Sequence, residues 1–508
     1  MWWALLAGLL IFNKPFASIG HPPLFISEIA IAVALVVALI GWRSAFRDPL
    51  ASSLAFRLIV AFGLLGVVRA CFDVPKFGWL ALRDSVIAGY GITAFIAAYV
   101  WTARTDRTSP MKIVRVVLPA IVSLAALWAA LRVFGWIDPA SWGSFSGVGQ
   151  GKADLYAVSV AAAAWVWFTR AGAFFPREGD DPTAGWGERS AWALFALAGA
   201  ATAAALVAMH RFQIRSVTVG LALAFAAAVV SFAFSLRRKI LLGLLVAIAL
   251  IVAGPARILR PLDVFKSVDT EYQLSAGLDP APPKLPPAAV SAPTASPASE
   301  VPAPTPPSAP PPPHLDVETP RQDIINPAPT TWQESLERMT SVIDPDPSHL
   351  QSSAGIAGAY NVRWRAIFWV RCTHCVLHQA PFFGLGFGQN LTELMRDTPA
   401  WPLFVPSQQL DPPNRSPHCA HITVLTRMGL VGLLLWLSIL ALVSVGALRK
   451  IWRCGRTRDR EKFWDGLMLL GVWLILLSAM SFGVILEGPM GGIWFWSLTG
   501  FMAHWNCE

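Results

Sequence analysis

Long apolar runs without charge recur along the whole chain. Residues 216–236, 428–448 and 466–486 each contain 21 residues and no Asp, Glu, Lys or Arg. A run of about 20 apolar residues can cross the hydrocarbon core of a bilayer as one α-helix. Twelve hydrophobic segments, the first of them short, lie near residues 1–12, 25–42, 53–71, 84–103, 112–134, 154–169, 189–209, 216–236, 239–256, 424–448, 464–484 and 489–505. The pattern therefore predicts an all-α polytopic membrane protein with about twelve transmembrane helices.

The composition excludes several other classes of protein. Hydrophobic residues make up 55% of the chain and charged residues only 14%, whereas about a quarter of the residues of a soluble domain are charged. A soluble enzyme, a disordered protein and a disulfide-rich secreted domain are excluded. The net charge of +9 does not indicate nucleic-acid binding, because an excess of Lys and Arg in a membrane protein marks the cytoplasmic loops.

The distribution of basic residues predicts the orientation. If the N-terminus is cytoplasmic, the inner connections and adjoining helix ends hold 20 Lys and Arg, and the short outer connections hold 8. We therefore predict that both termini are cytoplasmic. The chain then divides into an N-terminal membrane bundle of about nine spans (1–256), a large periplasmic loop between spans nine and ten (257–423), and a C-terminal part with three spans (424–508).

The first part of the large loop is a proline-rich linker. Residues 280–313 contain 15 prolines among 34 residues. Such a run favours extended polyproline II structure and cannot bury a core. We interpret it as a solvated tether, with a ligand for a proline-binding module as the alternative.

The second part of the loop, residues 331–423, has helical patterns. An apolar face of Trp332, Leu336, Met339 and Ile343 has helical spacing. A second helical pattern covers residues 361–379 and is broken by a glycine-rich segment. The loop is therefore predicted to fold as helices after the tether.

Cationic side chains and one His lie next to the predicted outer ends of the spans. Arg215 begins the eighth span, Arg363 and Arg365 precede the glycine-rich segment, and Arg415 and His418 precede the tenth span. An Arg at a membrane edge is costly unless it is paired, binds a ligand or reaches the headgroups. Because guanidinium groups present a planar fork of donors to phosphate oxygens, these residues would form a diphosphate site if the chain brings them together.

Gly384, Gly386 and Gly388 alternate with Leu385 and Phe387. The run follows a helix rather than a strand, so it is not a dinucleotide-binding fingerprint. We predict a structural turn that allows close backbone approach.

Cysteines in the same region raise the question of a metal or a disulfide. Cys372, Cys375, Cys419 and His421 are the candidates, but a single CxxC pair with a distant third Cys is a poor match to a zinc site. A disulfide from Cys419 to Cys372 or Cys375 is favoured over zinc in an oxidising compartment. Acidic residues of the loop do not cluster as a divalent cation site requires, so we predict neither metal nor cofactor.

The order and spacing of these motifs resemble the bacterial O-antigen ligase and O-antigen polymerase superfamily. That family has an Arg followed four residues later by Trp, then Pro and a Gly-x-Gly-x-Gly turn, a Pro-His-Asn motif, and a helix that opens with Gly-Leu-x-Gly. The matching positions are Arg365 and Trp369, Pro381 with the three glycines, Pro417 and His418, and residues 429–432. Arg215 before Ser216 resembles the family's Ser-Arg-Gly helix start in altered order, and Cys419 stands where the family usually has Asn.

The resemblance implies a GT-C-like membrane glycosyltransferase of the bacterial inner membrane. The donor would be a glycan on undecaprenyl diphosphate, and transfer would occur on the periplasmic face without metal. Arg215 and Arg365, with Arg363 and Arg415, would bind the diphosphate, and His418 would take the proton of the acceptor hydroxyl.

The acceptor remains open at this stage. A ligase would use lipid A-core, and an O-antigen or exopolysaccharide polymerase would use another lipid-linked glycan. A lipid-linked glycan flippase is disfavoured, because transporters carry polar groups through mid-span and have small loops, whereas this loop exceeds 150 residues. A structural scaffold would not need Arg and His grouped at one face.

Overall fold

The structure, a computed structural model, covers most of the two ends of the chain. It describes residues 1–17, 19–21, 24–102, 110–133, 153–174, 223–224, 353–395, 416–457 and 459–507. The predicted spans near 189–209, 216–236 and 239–256 lie outside the described residues, apart from residues 223–224. The proline-rich tether and the helix predicted from Trp332 also lie outside them.

The described residues are almost entirely helical. In chain order the α-helices are α1 (Trp2–Ile11), α2 (Asn13–Ala17), α3 (Ile26–Ile40), α4 (Asp48–Ser52), α5 (Leu54–Phe77), α6 (Trp79–Gly89), α7 (Ile92–Thr102), α8 (Pro110–Val133), α9 (Ala153–Phe174), α10 (Ser353–Gln379), α11 (Ala420–Thr457), α12 (Arg460–Ser481) and α13 (Pro489–Cys507). A π-helical turn covers Arg43–Arg47, and 3-10 turns cover Leu391–Met395 and Ile485–Glu487. Two short strands, β1 (Gly20–His21) and β2 (Leu24–Phe25), pair antiparallel.

Several of these helices are long and apolar enough to cross a membrane. Among the described residues there are five such segments: Leu54–Phe77, Trp79–Thr102, Ile113–Leu131, Ala420–Thr457 and Arg460–Ser481. A sixth is obtained if Ile26–Ile40 and Arg43–Ser52, which are bent by 103° at their junction, count as one span. The fold is thus that of an α-helical membrane protein, while the total of twelve spans remains a prediction.

Two predicted segments differ in detail from the observed helices. The segment predicted at 84–103 begins earlier, at Trp79, and is broken at Tyr90 and Gly91 between α6 and α7. Helix α1 has only 10 residues, which is too short to cross a bilayer core alone because each residue rises about 1.5 Å.

Contacts between helix ends sort the helices into two faces. At one face, Arg115 near the start of α8 pairs with Glu461 and Asp465 near the start of α12, at 2.9 and 2.5 Å. At the opposite face, Asp73 in α5 and Asp84 in α6 contact the loop that follows α10. Consecutive spans cross a membrane in opposite directions, which places the starts of α8 and α12 at one face and the α5–α6 connection at the other. We call the second face the predicted outer face, since its periplasmic location rests on the charge distribution.

Small residues allow close packing of the helices inside the bundle. A Cβ on Gly500 of α13 would lie 2.1 Å from the Ala94 oxygen of α7, and one on Gly471 of α12 would lie 1.8 Å from Nε1 of Trp165 in α9. The same indole N–H donates to the Leu467 oxygen at 2.9 Å. Close backbone approach of this kind is the usual basis of helix association in membranes.

Candidate functional site

Helix α10 presents Arg365 and Trp369 on one face at the predicted outer face. The two residues are four apart, so their side chains lie one above the other on the helix. Arg365 Nη1 donates to the Phe482 oxygen at 2.8 Å, just beyond the end of α12. Trp369 Nε1 donates to the Pro417 oxygen at 2.5 Å, and its ring lies 6.3 Å from that of Phe482. The Arg–Trp pair therefore holds both the end of α12 and the loop that precedes α11.

His418 lies in that loop with an unusual backbone conformation. Its φ of 55° is in the left-handed region, and Asn13 is the other non-glycine residue with positive φ in the described part of the chain. Such a conformation costs about 1–3 kcal/mol and persists where the surroundings enforce it, commonly at functional sites. The His418 N–H donates to Ser416 Oγ at 3.2 Å, which closes a tight turn over residues 416–418.

Glu487, in the connection between α12 and α13, contacts the same loop. Its Oε1 accepts a hydrogen bond from Ser416 Oγ and another from Thr423 Oγ1 at 2.9 Å. The sequence analysis missed this residue. A signal was present, because Glu487 is the only Asp, Glu, Lys or Arg among residues 466–507, and an ionisable residue in an apolar stretch is a functional candidate.

The glycine segment after α10 is a turn packed against the protein itself. Gly384, Gly386 and Gly388 have φ of 72°, 99° and 82°, a region that only glycine enters without strain. A Cβ on Gly384 would lie 2.6 Å from the Gly429 nitrogen, and one on Gly386 would lie 2.4 Å from Nη2 of Arg69. The close backbone approach inferred from the sequence is therefore to the protein's own helices.

The turn fits into a break in α11. Gly429 has φ 67° and ψ −165°, which interrupts the helix. Leu430 N and Val431 N donate to the carbonyl oxygens of Pro381 and Phe382 at 2.8 and 3.2 Å. Helix breaks in membrane proteins are tolerated where other groups satisfy the freed backbone. Here the loop after α10 caps the second half of α11.

Two carboxylates, one buried and one partly buried, hold the N–H groups of the turn. Phe387 N donates to Asp73 Oδ2 at 2.7 Å, and Gly388 N donates to Asp84 Oδ2 at 3.1 Å. Asp73 is 1% exposed and also pairs with Arg69 at 2.9 Å. These acids lie in the N-terminal bundle, so the turn is joined to α5 and α6.

Arg427 holds the carbonyl groups of the same turn. Its Nη1 donates to the Gly386 and Gln389 oxygens at 3.0 and 2.8 Å, and its Nη2 pairs with Asp84 at 2.8 Å. Arg427 is 3% exposed, so its charge is satisfied entirely within the protein. It is a structural cation that the sequence analysis did not single out.

Both ring nitrogens of His421 form hydrogen bonds within the protein. Its Nδ1 accepts from Trp436 Nε1 at 3.0 Å, and its Nε2 lies 2.9 Å from Ser481 Oγ. The Ser481 hydroxyl itself donates to the Leu477 oxygen. The Nε2 proton of His421 therefore points to Ser481, which makes the ring neutral and occupies both nitrogens.

Cys372, Cys375 and Cys419 are free thiols in the structure, so the favoured disulfide is not formed there. Cys372 and Cys375 pack with Phe368, Leu391 and Leu394 in a small apolar cluster. Burial raises the pKa of all three thiols. The charge of Arg365 lowers the pKa of Cys419 and that of Glu487 raises it, both by less than burial does. In the described ranges no group of three or more His, Cys, Asp or Glu could hold a metal ion.

The chain matches no family model and no curated protein. The resemblance to the O-antigen ligase superfamily therefore depends on the motifs and on their arrangement. Arg365 and Trp369 lie beside the loop that holds His418, and the three glycines pack against α5, α6 and α11. Arg215, Arg415 and the side chain of Arg363 lie outside the described residues.

The site thus combines three kinds of group around one loop. Arg365 supplies a guanidinium, His418 an imidazole, and Glu487 a carboxylate. An anion next to Arg365 and a hydroxyl next to His418 are the ligands that this chemistry suits.

Proposed function

We propose that this protein is a metal-independent glycan transferase of the O-antigen ligase type. It moves a glycan from undecaprenyl diphosphate to a sugar hydroxyl of lipid A-core on the periplasmic face of the bacterial inner membrane. The alternative is a polymerase of the same superfamily, whose acceptor is a second lipid-linked glycan. The observation that carries the proposal is the convergence of Arg365, Trp369 and the loop of His418, which are separated by 53 residues or fewer in the chain, at one end of the helix bundle.

The proposed reaction is a single displacement. The acceptor hydroxyl oxygen forms a bond to the anomeric carbon, its proton passes to His418, and the bond from that carbon to the diphosphate breaks. Undecaprenyl diphosphate leaves with the bonding electrons. Because the leaving group is already a stable anion, it needs charge neutralisation more than protonation, and fixed guanidinium groups provide this in a site of low dielectric.

Arg365 and His418 have separate tasks in this scheme. Arg365, with Arg215, Arg363 and Arg415 as the further predicted cations, binds the diphosphate through paired N–H donors. His418 acts as general base, the role that histidine takes most often in enzymes.

The test is transfer in vitro by the purified full-length protein from an undecaprenyl-diphosphate-linked glycan. Lipid A-core and a second lipid-linked glycan are offered as separate acceptors, with and without EDTA. We expect transfer to lipid A-core that EDTA does not reduce, and transfer only to the lipid-linked glycan would identify the polymerase. His418→Ala should lower turnover by roughly 100-fold or more, the usual scale for a general base. Arg365→Lys should be nearly as poor as Arg365→Ala, because Lys retains the charge but not the fork.

Several outcomes would contradict the proposal. They are absence of transfer to either acceptor by folded wild-type protein, loss of activity in EDTA that Mg²⁺ restores, and near-normal turnover of His418→Ala. Each variant is compared at equal membrane level and equal retention on size-exclusion chromatography.

A further inference from the structure

We infer that Glu487 is the positioning residue for the His418 base, acting through Ser416. The inference depends on the proposed function, because it assigns a role within the same site. Glu487 lies in the connection between α12 and α13, which is far along the chain from the motifs that suggested the function but contacts the loop of His418. Glu487 is 69 residues from His418 in the chain, yet one hydroxyl group joins its carboxylate to the His418 backbone.

The first argument is the direction of the hydrogen bonds. A serine hydroxyl has one hydrogen to donate and two lone pairs to accept with. Ser416 donates its hydrogen to Glu487 Oε1, so its oxygen is oriented to accept the His418 N–H at 3.2 Å. A carboxylate accepts hydrogen bonds and cannot donate them, which fixes the order from Glu487 to Ser416 to His418.

The second argument is that the loop is clamped from two sides. On one side, Trp369 of α10 donates to the Pro417 oxygen. On the other side, Glu487 holds Ser416, whose hydroxyl in turn accepts the His418 N–H. Thr423 of α11 donates to the same carboxylate oxygen at 2.9 Å, which joins the first turn of α11 to the clamp. Left-handed backbone at a non-glycine residue is maintained only when the surroundings enforce it. These contacts provide that constraint for His418.

The third argument is electrostatic. When a general base takes a proton, it becomes a cation, and a nearby negative charge stabilises the charged form. Among the described residues, the ionisable groups around the loop are Arg365 from α10, Glu487 from the α12–α13 connection, and Cys419 and His421 beside His418. His421 is held neutral by Trp436 and Ser481, and the Cys419 thiol is protonated because burial raises its pKa. In the described part of the chain, Glu487 is therefore the negative charge that offsets Arg365 near the base.

The test compares Glu487→Gln, Ser416→Ala and Glu461→Gln in the transfer assay, over a range of pH. Glu487→Gln keeps the shape and the acceptor oxygen but removes the charge. We expect turnover about 10-fold lower with unchanged KM for donor and acceptor. The acidic limb of the turnover profile should move to lower pH by roughly one unit. The sign follows because loss of the negative charge lowers the pKa of His418, so the neutral base persists to lower pH.

Ser416→Ala separates the geometric role from the charge. It removes the link but keeps the carboxylate, so turnover should fall by a similar factor while the acidic limb stays in place. Glu461→Gln makes the same chemical change at the opposite face, on a side chain that is 76% exposed, and should retain turnover within about twofold, as most surface substitutions do.

The outcomes distinguish this inference from the proposed function. If wild-type protein does not transfer glycan, the proposed function fails. If wild-type protein transfers glycan but Glu487→Gln has normal turnover and an unmoved acidic limb, the positioning role is refuted. A loss in Glu487→Gln that is matched by a lower melting temperature, without a shift of the acidic limb, would show that the carboxylate serves folding alone and would also refute it.

Discussion

Gly384→Ala is the substitution that most directly tests how the site is assembled. Gly384 has a φ of 72° and lies where the turn after α10 enters the break in α11. A Cβ there would lie 2.6 Å from the Gly429 nitrogen and 2.7 Å from the Met428 nitrogen and the Thr426 oxygen. All three neighbours are backbone atoms, so no side-chain rotation can relieve the overlap. Either the turn or the α11 break must move.

The energetic consequence has two parts. Holding a non-glycine residue in the left-handed region costs about 1–2 kcal/mol. Moving the turn also weakens three backbone hydrogen bonds across the break, from Leu385 to Thr426, from Leu430 to Pro381 and from Val431 to Phe382. Each contributes about 1 kcal/mol. We therefore expect Gly384→Ala to destabilise the protein by about 2–5 kcal/mol, a large share of a typical stability of about 5–15 kcal/mol.

Gly63→Ala is the matched control. Gly63 lies inside α5 and a Cβ there would meet nothing within 4 Å. In a helix interior Ala is favoured over Gly by about 0.5–1 kcal/mol, so this variant should be as stable as wild type or more so. Melting in detergent should place Gly384→Ala about 2–5 °C below wild type and Gly63→Ala at or above it. Equal melting temperatures for both variants and wild type would refute the packing of the turn against Gly429.

Two further predictions follow from the loop and its tether. In the folded protein, alkylation should spare the buried Cys372, Cys375 and Cys419 and modify the exposed Cys507. After denaturation without reductant, mass spectrometry should show six modified thiols, and only four would mean that a disulfide forms. Deletion of about half of residues 280–313 should leave transfer activity within a fewfold, because the entropy of loop closure changes slowly with length; complete loss of activity at normal membrane levels would show that the linker has a specific role.

Within the described residues, the sequence by itself predicted several of the long helices, because crossing a bilayer is a local requirement. The segment predicted at 53–71 is the helix Leu54–Phe77, and that predicted at 464–484 is Arg460–Ser481. Length and apolar character decide such segments without reference to their neighbours. The sequence also predicted that residues 361–379 are helical and that the glycines end that helix, and α10 ends at Gln379.

Only the tertiary structure decided what each motif contacts. The glycines indicated a close backbone approach, but their partners are Gly429 in α11 and the acids of α5 and α6. Phe387 and Asp73 are 314 residues apart in the chain. No local pattern encodes a contact across that distance, because it depends on how separate helices pack.

The same reason explains why Glu487 was missed. By sequence it is an isolated acid between two apolar spans, and only the folded bundle joins it to Ser416 and thus to His418. Hydropathy determines which segments lie in the membrane, since it is a property of each segment alone. The partner of a polar side chain is determined by packing, since a buried polar group must find its hydrogen bond in whichever element the fold brings next to it.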